Sequence, residues 1–501
     1  MTATRSWIKR CMAALFALPV AGGLALAQDF PNHEPTAAPT PELRRLEYPA
    51  DEYLEPSALG VSEASTDVRF VVAADEMTLE ERLATLEKAY NKDKDAAAKK
   101  KADDAKKPTM KIAGRIHLDY WGFPDTSPGA NAFETGNPAV DPVDRFAFRR
   151  VRIGVAGDIP DNMLYKIEME FATPESPAFK DVFIGWKELP VLRTLLIGNQ
   201  KRPYGLDHLN SSRYNVFMER PFIVEAFNQD ARRLGIASYG LSEDEAWNWR
   251  FGVYNMEDMQ STGAVLGDHY QPELAGRLAN TVWYDEASDG RGYAHWAVSG
   301  TWADTNLASP AGNSTRTFRT RPEARTSNRW LNTQAIPGLE EYSLLGLEGL
   351  VNLGPLQVCG EWMQNWCERQ NGLEDLQFHG GYVYVSYFLT GEHLPWDRES
   401  GTLGRVKPLE NFFLVNTCDS CVRGGWGAWQ VAARVSRGDL SDDGVLGGIG
   451  NSFTLGMNWH WNPNARVQFN YIYGKVDDHF PVAGQTDGIY NIFGVRWMID
   501  Y

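Results

Sequence analysis

The carboxyl-terminal residues 491–501 alternate between apolar and polar positions. The side chains on one face are Phe493, Val495, Trp497, Ile499 and Tyr501, and those on the other are Gly494, Arg496, Met498 and Asp500. Because the side chains of a strand point alternately to its two faces, one face would meet an apolar medium and the other water. A strand that ends on an aromatic residue is typical of transmembrane β-barrels of the bacterial outer membrane. The pattern therefore predicts a membrane-spanning sheet.

The same alternation recurs upstream. In 163–171, 453–461 and 467–473, charged or amide side chains alternate with bulky apolar ones. Charged residues on the opposite face of strands with such an apolar face favour a water-filled interior. A soluble β-sandwich would instead bury the apolar face and expose the polar one, and the alternation alone is compatible with either fold.

Counting these segments predicts an all-β fold, a 16-stranded antiparallel transmembrane β-barrel with the even strand number of porins. The predicted strands are 111–122, 145–157, 163–172, 180–187, 191–199, 232–240, 246–256, 275–285, 292–302, 342–353, 356–368, 378–390, 426–437, 452–461, 465–475 and 490–501.

Strand parity assigns each connection to one end of the barrel. With a periplasmic carboxyl terminus, the short periplasmic turns are 158–162, 188–190 and 462–464, and the long extracellular loops are 123–144, 200–231, 257–274 and 303–341. This asymmetry is expected of outer-membrane barrels. Segment 391–425 is long yet falls on the periplasmic side. Either a strand is miscounted there, or this segment folds into the pore.

The first 27 residues have the composition of a secretory signal peptide. Basic residues precede an apolar run at 11–26, and Ala25-Leu26-Ala27 forms a small-x-small cleavage site, so we expect cleavage before Gln28. A single membrane helix is the alternative, but the run is short and Pro19 interrupts it.

Residues 28–75 are rich in proline and predict a disordered linker. The next segment, 76–107, carries apolar residues at the spacing of a short coiled coil, namely Leu79, Leu83, Leu86 and Tyr90. Two heptads are marginal alone, so this periplasmic helix would need partners from other copies of the chain. One isolated amphipathic turn is the alternative. The barrel is expected over 108–501.

Charge and cysteine content narrow the function classes. A formal net charge of −16 argues against nucleic acid as a partner. Cys359 and Cys367 lie on one strand, too far apart to bridge each other. Cys418 and Cys421 form a C-x-x-C in a loop, which favours a local disulfide over a metal site. No H-E-x-x-H or G-x-S-x-G motif occurs, so we expect neither an enzyme nor a bound cofactor.

Several motifs resemble the phosphate-selective porin O and P family, in the same order and over about residues 108–501. They are FRRVRIG at 148–154, NQKRPYGL at 199–206, NSSR at 210–213, FMER at 217–220, YFLTGEH at 387–393, GAWQ at 427–430 and LGMNW at 455–459. The resemblance implies a trimeric porin of the outer membrane with an amino-terminal periplasmic coiled coil. It also implies inward-folded extracellular loops and one long periplasmic turn that narrow the pore, which would account for 391–425.

The resemblance further implies an anion-binding constriction. Carried over motif by motif, its residues are Arg149, Arg150, Asp181, Ser211, Ser212 and Arg220. Guanidinium groups and hydroxyls suit tetrahedral oxyanions because they present several donors in fixed directions. An acidic neighbour keeps binding weak enough for the ion to leave, as conduction requires. The alternative is that Arg149, Arg150 and Arg152 are simply lumen-facing charges of a general porin.

These motifs also set structural requirements. Strict alternation sends Arg149 and Arg150 to opposite faces, so both reach the lumen only if the strand is bulged there. His208 stands where family members that prefer phosphate carry a lysine, and histidine is mostly neutral at pH 7. Further arginines are candidates for a ladder along the pore wall, without a register: Arg232, Arg233, Arg250, Arg277 and Arg434.

The sequence therefore predicts a passive channel in the cell outer membrane for small hydrophilic solutes. The expected partners are inorganic phosphate or other small anions, outer-membrane lipid, and further copies of the chain in a homotrimer. The alternatives are a general non-selective porin, a structural tether to the cell wall with a plugged barrel, and a barrel hydrolase. For a hydrolase, His295 and His460 are the strand histidines to examine.

Overall fold

The computed structural model describes residues 79–104, 107–173, 176–228, 231–260, 270–305, 317–416 and 422–501. The predicted signal peptide 1–27, the predicted linker 28–75, and Cys418 and Cys421 lie outside these residues. Contacts divide the chain into two units, one of which contains residues 24–106 and the other the barrel.

Helix α1, Leu79–Asp104, is the described part of the first unit. It falls within the segment predicted to be a coiled coil, and Leu83, Leu86 and Tyr90 are exposed on it. The pairing of these side chains with other copies of the chain stays a prediction. No helix in the described ranges combines the length and the apolarity needed to cross a membrane.

The second unit is a closed antiparallel barrel of sixteen strands. The strands are β1 Lys111–Thr126, β2 Arg145–Ile159, β3 Met163–Glu170, β4 Ala178–Leu189, β5 Arg193–Lys201, β6 Arg232–Leu241, β7 Trp247–Asn255, β8 Pro272–Tyr284, β9 Gly292–Asp304, β10 Leu339–Leu353, β11 Leu356–Arg369, β12 Leu376–Phe388, β13 Ala428–Asp442, β14 Val445–Asn462, β15 Ala465–His479 and β16 Gly488–Asp500. Each one overlaps one predicted strand, so the strand prediction is confirmed.

Short elements lie between the barrel strands. The helices are α2 Pro128–Thr135, α3 Leu206–Leu209 and α4 Phe222–Phe227, with a 3₁₀ turn at Glu286–Ser288. Three two-stranded hairpins pair Arg319–Thr320 with Leu331–Asn332, Trp396–Asp397 with Thr402–Leu403, and Phe413–Asn416 with Val422–Gly425.

The last strand closes the barrel against the first. On β16, Phe493, Trp497 and Ile499 are exposed on the outer face, as is Tyr501 directly after the strand, whereas Arg496 is buried inside. There Arg496 forms an ion pair of 2.6 Å with Asp119 of β1, across the closing seam. A sandwich would have buried the aromatic face. Apolar residues outside and charged residues inside are instead the arrangement of a transmembrane barrel.

We name the segment between β12 and β13 T6, of which residues 389–416 and 422–427 are described. Its residues 394–403 lie inside the barrel and enter from the end that carries the short turns. Tyr293 of β9 donates a hydrogen bond to the Leu394 carbonyl at 2.8 Å, and the Trp396 indole donates to Thr281 of β8 at 3.0 Å. The strand count is therefore correct, and residues 394–403 of the long turn enter the pore.

The loop between β5 and β6, L3 (202–231), folds inward from the opposite end. Asn458 of β14 donates to the Val216 carbonyl at 2.9 Å, and Arg434 of β13 donates to the Glu219 carbonyl at 3.1 Å. Inside the barrel L3 meets T6, since the Leu403 amide donates to the Asn210 side chain at 3.0 Å.

The loop between β9 and β10 is named L5, of which residues 305 and 317–338 are described, and the described part also folds inward. Its Glu323 is buried and accepts hydrogen bonds from Arg434 at 2.7 Å and Ser452 at 2.8 Å, and also from Ser436. Arg434 and Ser436 belong to β13, and Ser452 belongs to β14. L3, L5 and T6 thus pack against β8, β9, β13 and β14.

Candidate functional site

A cavity of about 610 Å³ lies between the barrel wall and loops L3 and L5. We name it the basic cavity, since its lining contains ten arginines and three lysines against five carboxylates. The wall residues that line it come from β1 to β6. Its lining includes all six predicted site residues, Arg149, Arg150, Asp181, Ser211, Ser212 and Arg220. The structure therefore brings the predicted residues together.

A β-bulge turns two consecutive arginines into the lumen. In the β1–β2 register Arg150 pairs with His117 and Phe148 pairs with Leu118, so Arg149 is the extra residue. Phe148 is 59% exposed on the outer face, whereas Arg150 is 4% exposed. Two residues opposite one partner allow successive side chains to point the same way. The bulge that the sequence required is present.

Arg149 binds a carboxylate of L3. Its Nε and Nη2 donate to the two oxygens of Glu219 at 2.7 and 3.0 Å. Glu219 also accepts from Arg496 of β16 at 2.7 Å. Burial alone would raise the pKa of the Glu219 carboxyl, but Arg149 and Arg496 hold that pKa well below its usual range. Glu219 is therefore a fixed negative charge beside the predicted arginines.

Arg150 differs from Arg149 in having no carboxylate partner in the described part of the chain. Its closest polar contact joins Nη1 to His117 Nδ1 at 3.4 Å, and its buried Nε has no hydrogen-bond partner. A buried guanidinium with unused donors is costly unless a ligand or water satisfies it. Arg150 is accordingly the predicted residue best placed to donate to an anion.

The serine pair lies beside Arg115, a residue that the motifs did not indicate. Arg115 Nη1 donates to Ser212 at 2.9 Å and to Ser211 at 3.4 Å, while Nη2 donates to Glu168 at 3.1 Å. Both hydroxyls act as acceptors here, so their own protons remain available. The pair can therefore donate two O–H groups to an oxyanion in the cavity.

Arg220 lines the cavity, but the backbone and side chain of L3 engage its guanidinium. Its Nε donates to the Asp207 carbonyl at 3.0 Å and lies 3.1 Å from the Asp207 carboxylate, and Nη2 donates to the Asn210 carbonyl at 3.2 Å. Burial lowers the pKa of Arg220, against the opposing effect of Asp207. Its contacts stabilise the shape of L3 as well as adding charge.

Asp181 is neutralised by two cations. Arg232 Nε and Lys166 Nζ each lie 2.6 Å from one of its oxygens. Arg232, one of the ladder candidates, thus belongs to the cavity lining. With both oxygens engaged, Asp181 moderates the positive charge of this wall.

The other ladder candidates bind protein groups. Arg277 pairs with Glu348 at 2.5 Å and donates to the Gly401 carbonyl of T6 at 3.1 Å, and Arg250 donates to the Ser400 carbonyl. Arg233 donates to the Met256 carbonyl at 2.7 Å, and Arg434 holds L5 as described above. Apart from Arg232, these arginines fix inserted segments and neighbouring backbone in place.

His208 lies in the lining without adding charge. It is 2% exposed, it stacks on Tyr204, and its Nε2 has no hydrogen-bond partner among the described residues. Burial lowers the pKa of His208 well below its usual range, and the nearby Lys201 and Arg220 lower it further. The imidazole is therefore neutral at pH 7, as the sequence suggested.

Sequence reasoning missed several cavity residues. Arg115 sits on the inward face of β1, where the alternation of Arg115, His117 and Asp119 could have indicated it. Arg321, Arg325 and Arg329 come from L5. The signal in the sequence was the presence of four arginines, including Arg319, within the eleven residues 319–329. Arg325 has no hydrogen bond or ion pair to any described residue. The charge of Arg149, burial and the charge of Arg321 lower its pKa to about 10.

The fold and the cavity define the class of protein. A closed sixteen-stranded barrel with an apolar outer face and a charged interior that encloses a cavity is an outer-membrane channel of the porin type. The model of the family "Phosphate-selective porin O and P" matches residues 110–498, and the chain belongs to that family.

Individual relatives are more distant. An uncharacterized protein of Caulobacter vibrioides is 28% identical over 401 residues, covering 78% of this chain and 74% of the relative. Among solved structures, the trimer form of OmpT of Vibrio cholerae has a TM-score of 0.47 at 11% identity, covering 79% of this chain and 100% of OmpT. The anion-selective porin from Comamonas acidovorans has a TM-score of 0.46 at 14% identity, covering 78% of this chain and 100% of that porin.

Proposed function

We propose that this outer-membrane porin is a passive channel for small hydrophilic anions, with inorganic phosphate as the leading solute. The observation that carries the proposal is the charge of the basic cavity. Its lining has an excess of eight positive charges, in a chain whose formal net charge is −16. A lumen lined by one sign of charge concentrates counter-ions and raises their rate of entry.

The donors of the basic cavity suit an oxyanion. Arg150 and Arg325 supply guanidinium groups without carboxylate partners in the described ranges, and Ser211 and Ser212 supply hydroxyl protons. Planar guanidinium forks and hydroxyls match phosphate geometry. Glu219 and the other carboxylates keep the total attraction moderate, so that an ion can also leave.

Planar-bilayer recordings test the proposal. In a chloride gradient the reversal potential should indicate anion preference, and micromolar phosphate should inhibit the chloride current. Cation preference would overturn the anion assignment. Anion preference without phosphate inhibition would leave a general anion channel, and no preference would favour the non-selective porin.

Two other functions have weaker support. A hydrolase would need a serine near His295 or His460, but His295 contacts Arg277 and Trp396, and His460 packs on Phe388. Neither imidazole forms a hydrogen bond with a serine in the described ranges, so we propose that the protein is a channel and not an enzyme. A plugged structural tether is at odds with the 610 Å³ cavity.

We further propose a homotrimer embedded in outer-membrane lipid. The exposed Leu83, Leu86 and Tyr90 of α1 support association between copies, because apolar residues at heptad spacing are stabilised by packing on another helix. Chemical cross-linking in detergent, with and without residues 76–107, measures this association. A monomer in both forms would contradict it.

A further inference from the structure

A second cavity, of about 400 Å³, lies at the end of the barrel that carries the long loops. We name it the outer cavity. It is lined by Phe133 of α2, by Arg319, Arg321 and Arg329 of L5, and by the sequence His479-Phe480 where β15 ends. Arg321 and Arg329 also line the basic cavity, so the two cavities adjoin. The lining of the outer cavity contains no carboxylate among the described residues. Glu225, outside this lining, pairs with Arg321 at 2.8 Å and with Arg329 at 2.9 Å.

One side of the outer cavity is an apolar wall of aromatic rings. The Phe133 and His479 rings have centroids 4.6 Å apart, and the His479 and Phe480 centroids are 4.1 Å apart. Phe133 is 6% exposed, and Val482 extends the wall. Inorganic phosphate has no apolar surface to bury here, whereas a ligand with a ring would lose water-exposed apolar area.

The other side presents a cation without a counter-ion. Arg319 pairs by its backbone with Asn332 across the L5 hairpin, and both residues line the outer cavity. Its side chain has no hydrogen bond or ion pair with any described residue, and its Nε is buried. A partly desolvated guanidinium with unused donors attracts an anion that can satisfy them.

His479 adds a hydrogen-bond acceptor to the aromatic wall. Its Nδ1 lies 2.7 Å from the Phe480 carbonyl, so that nitrogen carries the proton. The buried Nε2 has no partner among the described residues and accepts a hydrogen bond in the neutral imidazole. A monoprotonated phosphonate or phosphate ester has both the charge that Arg319 requires and a hydroxyl for this nitrogen.

We propose that the outer cavity binds organic anions with a ring-sized apolar body before they pass to the basic cavity. The anionic group binds Arg319, and the ring packs against Phe133 and Phe480. This inference rests on the proposed anion channel and deepens it, because it names aryl-bearing anions as a substrate class beyond inorganic phosphate.

Titration calorimetry of the full-length protein in detergent tests this with two probes of similar charge, phenylphosphonate and methylphosphonate. We expect phenylphosphonate to bind at least tenfold more tightly. Phe480→Ala should reduce the ratio of the two affinities to near one. Phe133→Ala should have the same effect and serves as the second measurement if Phe480→Ala does not fold. Arg319→Gln should weaken both probes several-fold and leave the ratio unchanged. Arg150→Gln, in the basic cavity, should also leave the ratio unchanged.

Equal affinities of the two probes for the wild-type protein would overturn the inference. A ratio that falls in Arg150→Gln but not in Phe480→Ala would also overturn it, because the ring would then bind in the basic cavity. Bilayer selectivity separates the two proposals. A barrel that prefers the phenyl probe but conducts cations contradicts the proposed function, whereas an anion-selective barrel with equal affinities contradicts this inference alone.

Discussion

Arg149 of β2 and Glu219 of L3 are joined by two parallel hydrogen bonds of 2.7 and 3.0 Å. Because Glu219 also binds Arg496 of β16 at 2.7 Å, one carboxylate fastens L3 to two strands of the wall. The same carboxylate offsets the charge of two arginines next to the basic cavity. It therefore controls both the position of the loop and the field that an entering anion meets.

Replacing Glu219 with Gln should increase anion preference. The amide is similar in shape and can keep a hydrogen bond to each arginine, so L3 should stay in place while one negative charge disappears. We expect a larger anion-to-cation permeability ratio and phosphate inhibition at several-fold lower concentration. The measurement is the reversal potential in a potassium chloride gradient. Glu243→Gln, in the exposed turn 242–246, is the matched control, and equal shifts in both variants would contradict the assignment.

Replacing Arg150 with Gln should weaken phosphate inhibition of the chloride current roughly tenfold or more, since a hydrogen bond to a charged group contributes about 1.5–3 kcal/mol. The wild-type side chain has no carboxylate partner in the described ranges, so its removal leaves no buried acid unpaired. Lys88→Gln removes an equal charge from the exposed face of α1 and should change nothing. Unaltered inhibition in Arg150→Gln would remove this residue from the anion site.

Chloride selectivity should show no step near pH 6.5, the usual pKa of a histidine side chain. His208 has its pKa well below the usual value, so it stays neutral as the pH falls. The pKa values of Glu219 and Glu225 are lowered despite burial, because neighbouring arginines stabilise the carboxylates, so both stay charged. Chloride is the suitable probe because its own charge does not titrate. A rise in anion preference centred near pH 6.5 would mean that His208 becomes protonated after all.

Replacing Glu323 with Ala should release L5 from the wall. The carboxylate is 1% exposed and pairs with the equally buried Arg434, and breaking a buried pair of this kind costs about 3–5 kcal/mol. We expect faster tryptic cleavage after Arg325 or Arg329 and a larger, noisier conductance. Glu340→Ala, at an exposed position, should leave cleavage unchanged. Equal protection of L5 in both variants would show that other contacts hold the loop.

The sequence predicted the barrel strands well because the alternation that identifies each strand is contained within that strand. Alternating side chains must meet lipid on one side and water on the other, so each strand carries its own signal. The bulge at Arg149 was predictable for the same reason, since two consecutive arginines between apolar neighbours fit no regular strand. The inward fold of T6 was one of two options left by the strand count, because that count placed the long segment 391–425 on the periplasmic side, where turns are short.

The inserted loops and much of the cavity were not predictable in this way. The position of L5 depends on Glu323 meeting Arg434, which is 111 residues away along the chain, and no periodicity indicates such a contact. Arg325 lines the basic cavity only because L5 is held there. The functions of Arg250 and Arg277 likewise became evident only when T6 was found beside them, because an inward-facing arginine can bind either a solute or a backbone carbonyl.

The ion pair between Asp119 and Arg496 lies between the first and last strands of the barrel. Arg115 of β1 contacts Ser212 of L3, 97 residues away along the chain. L3 in turn is held partly by the ion pair of its Glu219 with Arg496 of β16. Before β16 has paired with β1, Glu219 therefore lacks one of its two arginine partners, and L3 is held to the wall by fewer contacts. Controlled passage of solutes through the pore should therefore begin only after the barrel has closed.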